Sequence, residues 1–413
     1  MQPSNAVVLM QGVRQEKPLV AALSLFSHSF YVPSITKTGG AERRAHYWLQ
    51  ILHAEGYKVA GIIAHQNNIG PDFKSDLNAD WPLYEHPKYG VSGQIVRAPK
   101  PENSFWSKLR DKALKVLQKP LPNSTAKNAW LSQAVYKHID ADVYIAFGLN
   151  NVANDLARFC SENNKKLILC AIHDLDFDFL SIQSGKDMFD NKRWLKHETL
   201  KAAEVVVVQN AAQVGFSHQA AIPKEKVVRI SNPIDVLPLP PKEAGNSALW
   251  VGRFDANKNA HALLALAKLL PEIRFKMVVS ARPTLEEMQE IARHPNVELL
   301  DGVRPEHMRN LYLQSFCLVS TAFLEGFPNT FLEAWEAEIP VASLHVNPNG
   351  LLTEQGLGYL AFGDIEALSK VILYWSKNPT LSQSIGRKAR QYVTEEHETA
   401  KVAEQILRVL SKI

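Results

Sequence analysis

One stretch in the second half of the chain constrains the fold most, because it predicts a strand, a turn, a helix and another strand in succession. The apolar runs Phe316–Ser320 and Ile339–Leu344 are typical of buried strands. Between them, Glu325–Asn329 carries the turn residues Gly and Pro, and Asn329 or Thr330 can cap a helix. This order places a helix start at the carboxyl end of a strand, as in α/β proteins.

The start of that helix is a candidate anion site. Free N–H groups and the helix dipole favour an anion there by about 0.3–2 kcal/mol. Glu325 precedes the helix and Glu333 lies one turn past Asn329. Carboxylates beside an anion site are unfavourable unless they bind something else, and sugar or ribose hydroxyls are suitable partners. By spacing alone, an ordinary helix start with a solvated Glu is the simpler explanation.

The residues around Glu325 and Glu333 favour a functional interpretation over a structural one. Residues 325–334, EGFPNTFLEA, resemble the signature of the retaining nucleotide-sugar glycosyltransferases of family four, or group 1. The resemblance implies the GT-B architecture, an α/β fold in which two Rossmann-like domains face each other across a cleft. It implies that Glu325 contacts the transferred sugar, that Glu333 binds the ribose, and that the helix start holds the diphosphate. The donor-binding residues predicted in this segment are Glu325, Phe327, Pro328, Asn329, Thr330 and Glu333.

Length and composition are consistent with two globular domains. The 413 residues suffice for two domains of about 150–200 residues each. Hydrophobic residues make up 46% and charged residues 21%, and the net charge of +4 is only mildly basic, so we expect no nucleic-acid partner. The three cysteines form no metal-type spacing, which favours a reducing compartment. We expect a cytoplasmic protein, without a signal peptide or the about 18–20 apolar residues of a spanning helix.

We expect the chain to divide into three segments. Residues 1–236 form an acceptor-side domain, residues 237–385 a nucleotide-sugar-binding domain, and residues 386–413 a helix that crosses back to the first domain. The proline-rich stretch Val236–Asn246 is the predicted linker. Apolar residues recur at helical spacing in the tail.

A Gly-Gly turn marks the first domain. The apolar run Leu19–Phe26 predicts a buried strand; a helical pattern follows Gly39 and Gly40, and Lys58–Ala64 predicts the next strand. Such a turn lets backbone N–H groups approach an anion, although an ordinary tight turn is the simpler explanation from sequence alone. In the resembled family this stretch faces the donor phosphate, so Gly39 and Gly40 are predicted phosphate contacts.

A histidine follows another buried run of the first domain. Lys166–Ile172 predicts a strand, and His173 and Asp174 come directly after it. Ligands of α/β sheets bind at the carboxyl ends of strands. A lone His is more often a structural hydrogen-bonding residue, but the resembled family often has a His-Asp pair here. The resemblance implies that His173 contacts the transferred sugar or the reacting region.

Two cations open the second domain. A predicted strand ends at Gly252-Arg253, and Lys258 precedes a helical pattern. Arg offers a planar fork to phosphate oxygens and Lys a compact positive charge. By composition alone these are a surface Arg and a Lys at a helix start; in the resembled family both bind the donor diphosphate.

Three positions depart from the resembled family. Asn259 and Glu338 stand where the family commonly has Gly or another small residue, and residues 280–282 lack the usual Gly-rich turn. Family members read the base through backbone near Val303, so Val303 is a predicted base contact. The departures leave the choice of base open.

Residues 104–119 predict a basic amphipathic helix. Trp106, Leu109, Ala113 and Val116 share one face, and lysines and arginines occupy the rest. Such a helix can lie on an anionic membrane, and a core-facing helix with a solvated basic face explains the pattern as simply. The lipid-linked acceptors of many related transferases favour the membrane contact.

The resemblance implies a retaining transfer of sugar from a UDP- or GDP-sugar to a glycan or lipid-linked acceptor, in cell-surface polysaccharide or glycolipid synthesis. The predicted catalytic residues are His173, Arg253, Lys258 and Glu325. No Asp-x-Asp is placed for a metal, so we expect a metal-independent reaction without a cofactor. The inner face of the membrane is a candidate location for it. A sugar-nucleotide epimerase of the same architecture and a non-catalytic binding protein are the alternatives.

Overall fold

The computed structural model describes residues 17–24, 40–64, 79–86, 133–177, 193–241, 245–279 and 283–413. Gly39, the basic segment 104–119 and residues 280–282 lie outside the described residues. The described chain forms two parallel sheets, one in each half, and each sheet carries helices on both faces.

The first sheet has seven strands in the order β3-β2-β1-β4-β5-β6-β7, all paired in parallel. Runs such as VYIAF and VVVV form its strands because helices cover both faces, which leaves no polar side to alternate with. The strands are β1 Leu19–Leu23, β2 Lys58–Ala64, β3 Leu83–His86, β4 Val143–Phe147, β5 Lys166–Cys170, β6 Val205–Val208 and β7 Val227–Arg229. The helices are α1 Gly40–Ala54, α2 at 133–139, α3 Asn151–Glu162, α4 Arg193–Ala202 and α5 Ala211–Gln219.

The second sheet has six strands in the order β10-β9-β8-β11-β12-β13, again all parallel. They are β8 Ser247–Gly252, β9 Phe275–Val279, β10 Val297–Asp301, β11 Ser315–Ser320, β12 Val341–Ser343 and β13 Gly358–Leu360. The helices are α6 Ala260–Leu269, α7 Leu285–Ala292, α8 Pro305–Leu313, α9 Asn329–Glu336, α10 Ile365–Lys377, α11 Pro379–Glu396 and α12 Thr399–Leu410.

The strand order reverses direction once in each sheet, between β1 and β4 and between β8 and β11. Open α/β sheets bind ligands in the crevice at such a switch point, beside the carboxyl ends of the strands. The loops after β8 and β11 carry Arg253, Lys258 and Glu325. The topology alone therefore brings these three residues to one crevice.

The tail beyond residue 386 is interrupted, so the prediction of one helix over 386–413 was wrong. His397 separates α11 from α12, because backbone hydrogen bonds join this point to Ile234. Ile234 N–H donates to the His397 carbonyl over 2.9 Å, and Thr399 N–H donates back to the Ile234 carbonyl over 3.2 Å. Both passages of the chain between the halves thus lie side by side.

The last helix, α12, packs against the first half. Its apolar residues Val402 and Ile406 are fully buried in one cluster with Trp48 and Leu52 of α1. The 3.6-residue period of these residues predicts this apolar face. Burying side chains of this size stabilises by about 1.5–3 kcal/mol each, so α12 ties the end of the chain to the first sheet.

Glu338 follows α9 with a φ of 56°, in the left-handed region that favours glycine after a helix. We expect Glu338→Gly to raise the free energy of unfolding by about 1 kcal/mol, because a residue with a Cβ loses about 1–2 kcal/mol in this conformation. Urea denaturation measures the change. Glu338→Ala is the matched control, since it removes the side chain and keeps the strain. Equal gains in both variants would place the effect in the side chain and contradict the backbone explanation.

Candidate active site

Lys258 and Glu325 meet at the switch point of the second sheet. The Lys258 Nζ and a Glu325 carboxylate oxygen form an ion pair, and their side chains are 23% and 19% exposed. Thr330 and Pro328 at the start of α9 line the same pocket, with Thr321 after β11. The pocket volume of about 10 Å³ is close to that of one water site.

Arg253 directly follows β8, on the loop that leads to Lys258, and does not line the pocket. Its Nε donates to Asp255 over 2.9 Å, and the side chain remains 61% exposed. The other oxygen of Asp255 accepts the backbone N–H of Lys258 over 2.8 Å, so one carboxylate ties both cationic residues into one loop. Across the cleft, burial raises the pKa of Glu42, and the positive charge of Arg253 opposes that rise.

The loop between β8 and α6 ends on Asn259, which has a φ of 51° and a ψ of 56°. The resembled family commonly has glycine at this position, and glycine adopts this left-handed conformation without strain. Asn is one of the few other residues that visit it without a large cost. The departure at residue 259 thus keeps the loop conformation that presents Lys258.

Glu333 is held by both halves of the chain. One carboxylate oxygen pairs with the Arg43 guanidinium from α1, and the other accepts a hydrogen bond from the Tyr312 hydroxyl. The Glu333 side chain is 13% exposed. Burial raises the pKa of Tyr312, so this hydroxyl stays a proton donor. The carboxylate predicted to bind a ribose is therefore fixed in place by protein groups.

The start of α9 differs from the predicted cap. The helix begins at Asn329 after Pro328, and no side chain caps it. The cap prediction was wrong because the Asn329 side chain bridges the halves. Its Nδ2 donates to the Gly40 carbonyl over 3.1 Å, and its Oδ1 accepts from Asn232 over 3.0 Å. The N–H groups of the first turn therefore have no side-chain cap. They form the positive end of the α9 dipole, beside the Lys258 pocket.

The side chain of Phe327 packs beneath the loop that carries Glu325. Its side chain is buried, and its ring centroid is 4.9 Å from that of His397. The Nδ1 of His397 donates to the Asn232 carbonyl over 2.9 Å, and its Nε2 lies 3.3 Å from the Tyr392 hydroxyl. Phe327 thus anchors the loop on the point where the chain crosses between the halves.

His173 stands at the end of β5, as expected, and its turn is organised by Asp176. The buried Asp176 carboxylate accepts backbone N–H groups of Ile172 over 2.7 Å and of His173 over 3.1 Å. Burial raises the pKa of Asp176, and the Ile172 N–H opposes the rise. Asp174, the neighbour of His173, accepts from Gln213 over 2.9 Å.

Four buried amide side chains of the first half form what we call the amide clamp: Gln209, Asn210, Gln213 and Asn232. The Asn210 amide donates to the Gly326 carbonyl over 2.8 Å, and the Asn232 amide donates to the Phe327 carbonyl over 3.2 Å. A Cβ on Gly326 would lie 2.5 Å from the Gln209 oxygen and 2.9 Å from the Ile172 carbonyl. Only glycine fits this approach of the loop to the first half.

Two further residues, Val303 and Asn349, do not line the Lys258 pocket. Val303 lines a hollow of about 420 Å³ between β10 and α8, separate from the Lys258 pocket. Asn349, with a φ of 52°, accepts the Ala211 N–H of the first half over 2.8 Å. Within the described ranges no group of three or more His, Cys, Asp or Glu side chains is placed to hold a metal ion. Metal independence itself stays a prediction.

Comparison with known proteins identifies the second half of the chain. Residues 238–392 match the family Glycosyl transferases group 1. The alpha-galactosylglucosyldiacylglycerol synthase of Streptococcus pneumoniae is 28% identical over 220 residues, which are 47% of this chain and 58% of that protein. The matched region thus spans little more than half of that curated relative.

Solved structures extend the similarity to the whole fold. Sucrose-phosphate synthase from Thermosynechococcus elongatus superposes with a TM-score of 0.72 at 16% identity, covering 96% of this chain and 99% of that one. HepE from Anabaena, in complex with UDP-glucose, gives 0.67 at 15% identity, with 96% and 100% covered. A TarM mutant from S. aureus gives 0.69 at 12% identity, with 95% and 99% covered. The chain therefore has the GT-B fold, as predicted.

The sequence interpretation missed several residues in and around the candidate site. They are Arg43, Glu42, Asp176, Tyr312 and the amide clamp. The available signal was position: Asn210 and Asn232 come two residues after β6 and three after β7. Polar side chains at the carboxyl ends of parallel strands border the ligand crevice. That signal was read only as turn chemistry.

His397 should make stability depend on pH. Burial lowers its pKa from 6.5 to about 4, so the unfolded chain binds a proton between these values and the folded chain does not. The contribution of His397 to the free energy of unfolding is then fully present above pH 6.5 and is lost as pH falls towards 4. The loss is on the order of 3 kcal/mol at most. His46 titrates in the same window, with a pKa lowered to about 4 by burial.

We expect urea denaturation between pH 7.5 and 4.5 to show this loss. In His397→Asn, which cannot titrate, the loss should be about half as steep. His261→Asn is the control, because that side chain is 66% exposed. A wild-type slope in His397→Asn would exclude His397 as the source.

Proposed function

We propose that this protein transfers a sugar from a nucleoside diphosphate sugar to a glycan or lipid-linked acceptor. UDP is the nucleotide that the comparisons favour, and GDP is the alternative. The observation that carries the proposal is the meeting of Lys258, Glu325 and the uncapped start of α9 at the switch point between β8 and β11. A cation, a helix dipole and a carboxylate at one crevice suit a diphosphate with a sugar attached.

Donor binding exchanges the partner of one carboxylate, Glu325. The diphosphate replaces Glu325 as the counter-ion of Lys258, since it carries more negative charge and more acceptor oxygens than one carboxylate. Glu325 then becomes available to accept hydrogen bonds from the transferred sugar. Arg253 is already exposed beside Lys258 and closes on the other phosphate oxygens as a planar fork. Glu333, held by Arg43 and Tyr312, is oriented towards the ribose.

The same groups stabilise the reaction. When the bond between the sugar and the diphosphate breaks, negative charge develops on the leaving phosphate beside Lys258, Arg253 and the α9 N–H groups. Charges and dipoles fixed in advance at that position lower the barrier without reorganising. We propose retention of the anomeric configuration, in which the acceptor hydroxyl attacks the same face, its oxygen bonds to the anomeric carbon, and the leaving phosphate oxygen takes its proton. His173 borders the reacting region from the first half.

The names of the relatives support a class of acceptor. The S. pneumoniae protein is named as a synthase of a galactosylglucosyl diacylglycerol, and a TarM mutant was crystallised with an alpha-GlcNAc-glycerol. We propose a glycan or lipid-linked acceptor on this basis, with catalysis at the cytoplasmic membrane face through the basic segment 104–119. That segment lies outside the described residues. Within the part of the chain that the structure describes, no helix is long and apolar enough to cross a bilayer.

Ligand binding and one substitution test the proposal. We expect UDP or UDP-glucose, each at millimolar concentration, to raise the melting temperature, because a ligand that binds only the folded chain stabilises it. Lys258→Ala should reduce the turnover of sugar transfer by about 100- to 1000-fold. Lys268→Ala, an exposed lysine on the neighbouring α6, is the charge-matched control.

The contrary outcomes are distinct. No thermal shift with UDP, GDP or their glucose and mannose conjugates would contradict nucleotide-sugar binding. Wild-type turnover in Lys258→Ala would contradict the phosphate role of Lys258. Nucleotide sugar converted to an isomer without acceptor, and without nucleotide release, would favour the epimerase alternative.

A further inference from the structure

We infer that Asn210 and Asn232 are positioning residues for sugar transfer. They belong to the first half and act on the second half through the backbone of the loop that carries Glu325. The inference rests on the proposed function for its kinetic consequence. Its structural basis is a set of hydrogen bonds that stands independently of that function.

The two amides hold consecutive carbonyls directly after Glu325. Asn210 Nδ2 donates to the Gly326 carbonyl over 2.8 Å, and Asn232 Nδ2 donates to the Phe327 carbonyl over 3.2 Å. Two fixed peptide groups leave the preceding residue little rotational freedom. The direction of the Glu325 side chain is therefore set from across the cleft.

The amides are themselves fixed by buried partners. Asn210 Oδ1 accepts the Gln213 N–H over 2.8 Å and so caps α5. Asn232 Oδ1 accepts from Gln209 Nε2 over 3.0 Å. All four side chains of the clamp are at most 6% exposed. Buried amides of this kind are rigid because each lost hydrogen bond leaves a desolvated polar group, at about 1–3 kcal/mol.

Asn210 also connects the loop to the His173 turn. The second hydrogen of its amide points to Asp174 Oδ1 over 3.3 Å, and the same oxygen accepts from Gln213 over 2.9 Å. One amide thus binds the turn next to His173 and the loop next to Glu325. These are the two segments expected to contact the transferred sugar from opposite sides. Asn210 sets their distance.

This role separates positioning from nucleotide binding. Arg253 and Lys258 belong to the second half, and within the described residues no clamp side chain hydrogen-bonds to either of them. Loosening the loop should therefore reduce turnover and leave affinity for UDP nearly unchanged. A misplacement on the order of 1 Å can reduce a rate by about 100-fold.

Asn210→Ser is the sharpest variant. Serine is a good N-cap, so α5 keeps its cap, but its hydroxyl is too short to reach the Gly326 carbonyl. Asn210→Asp also keeps the cap and the shape, and replaces the donor by an acceptor that repels both Asp174 and the carbonyl. Asn163→Ala is the matched control, since it loses one amide-to-carbonyl bond of 2.8 Å at the end of α3, away from the cleft.

We expect kcat for transfer from UDP-glucose, or from whichever UDP-sugar the wild type uses, to fall about 10- to 100-fold in Asn210→Ser and further in Asn210→Asp. The Kd for UDP should stay within about threefold of wild type, and Asn163→Ala should keep wild-type kcat. Unchanged kcat in Asn210→Ser would overturn the inference. A loss of UDP affinity by the same factor as the loss of kcat would also overturn it, because that outcome indicates a general structural effect.

Hydrogen exchange supplies a readout that needs no substrate. Backbone amides of residues 325–330 should exchange at least about tenfold faster in Asn210→Ser than in wild type, while the Asn163→Ala protein exchanges there as wild type does. Unchanged exchange would overturn the clamp itself. If the wild type transfers no sugar from UDP- or GDP-sugars, the proposed function fails, and faster exchange in Asn210→Ser would still establish the clamp as a structural device.

Discussion

The ion pair between Lys258 and Glu325 is the interaction on which the rest of the candidate site depends. It joins the loop after β8 to the loop after β11, on the two sides of the switch point. Both side chains are largely buried, so loss of one partner leaves an uncompensated charge. The pair holds the Lys258 side chain in the pocket that Thr330, at the start of α9, also lines. In the proposed function, a diphosphate takes the place of the carboxylate beside Lys258.

The contacts between the halves are mainly polar, and this suits a site that must admit a donor. Arg43 pairs with Glu333, Asn329 donates to the Gly40 carbonyl, and the amide clamp holds the loop after Glu325. The exposed bond from Asn329 to the Gly40 carbonyl can exchange with water at small net cost, because folding already trades protein bonds against water bonds. The buried amides of the clamp cannot, since each bond left unmade costs about 1–3 kcal/mol. The paired passages at Ile234 and Glu398 add a second fixed point.

The fold was predictable because its signals are local. Apolar runs such as those of β4 and β6 and the Gly-Arg after β8 appear in the sequence at the positions where the structure has them. The site was predictable where a motif carries it: Lys258, Glu325 and Thr330 line one pocket. The missed contacts join residues far apart in sequence, 116 positions for Asn210 with Gly326 and 289 for Asn329 with Gly40. No local pattern encodes such pairs, and the cap predicted at Asn329 was wrong for the same reason.

Neutral amides are well suited to hold this loop. A lysine or arginine in place of Asn210 could also donate to the Gly326 carbonyl, but its charge would lie near the Lys258 pair and compete for Glu325 or for the diphosphate. An amide fixes position through two donors and one acceptor without a net charge. The charged groups of the cleft, Lys258, Arg253, Glu325 and Glu333, then set the electrostatic field seen by the donor. In the proposed function, charged residues of the second half bind the donor and stabilise the leaving phosphate, and neutral residues of the first half fix the loop that carries Glu325.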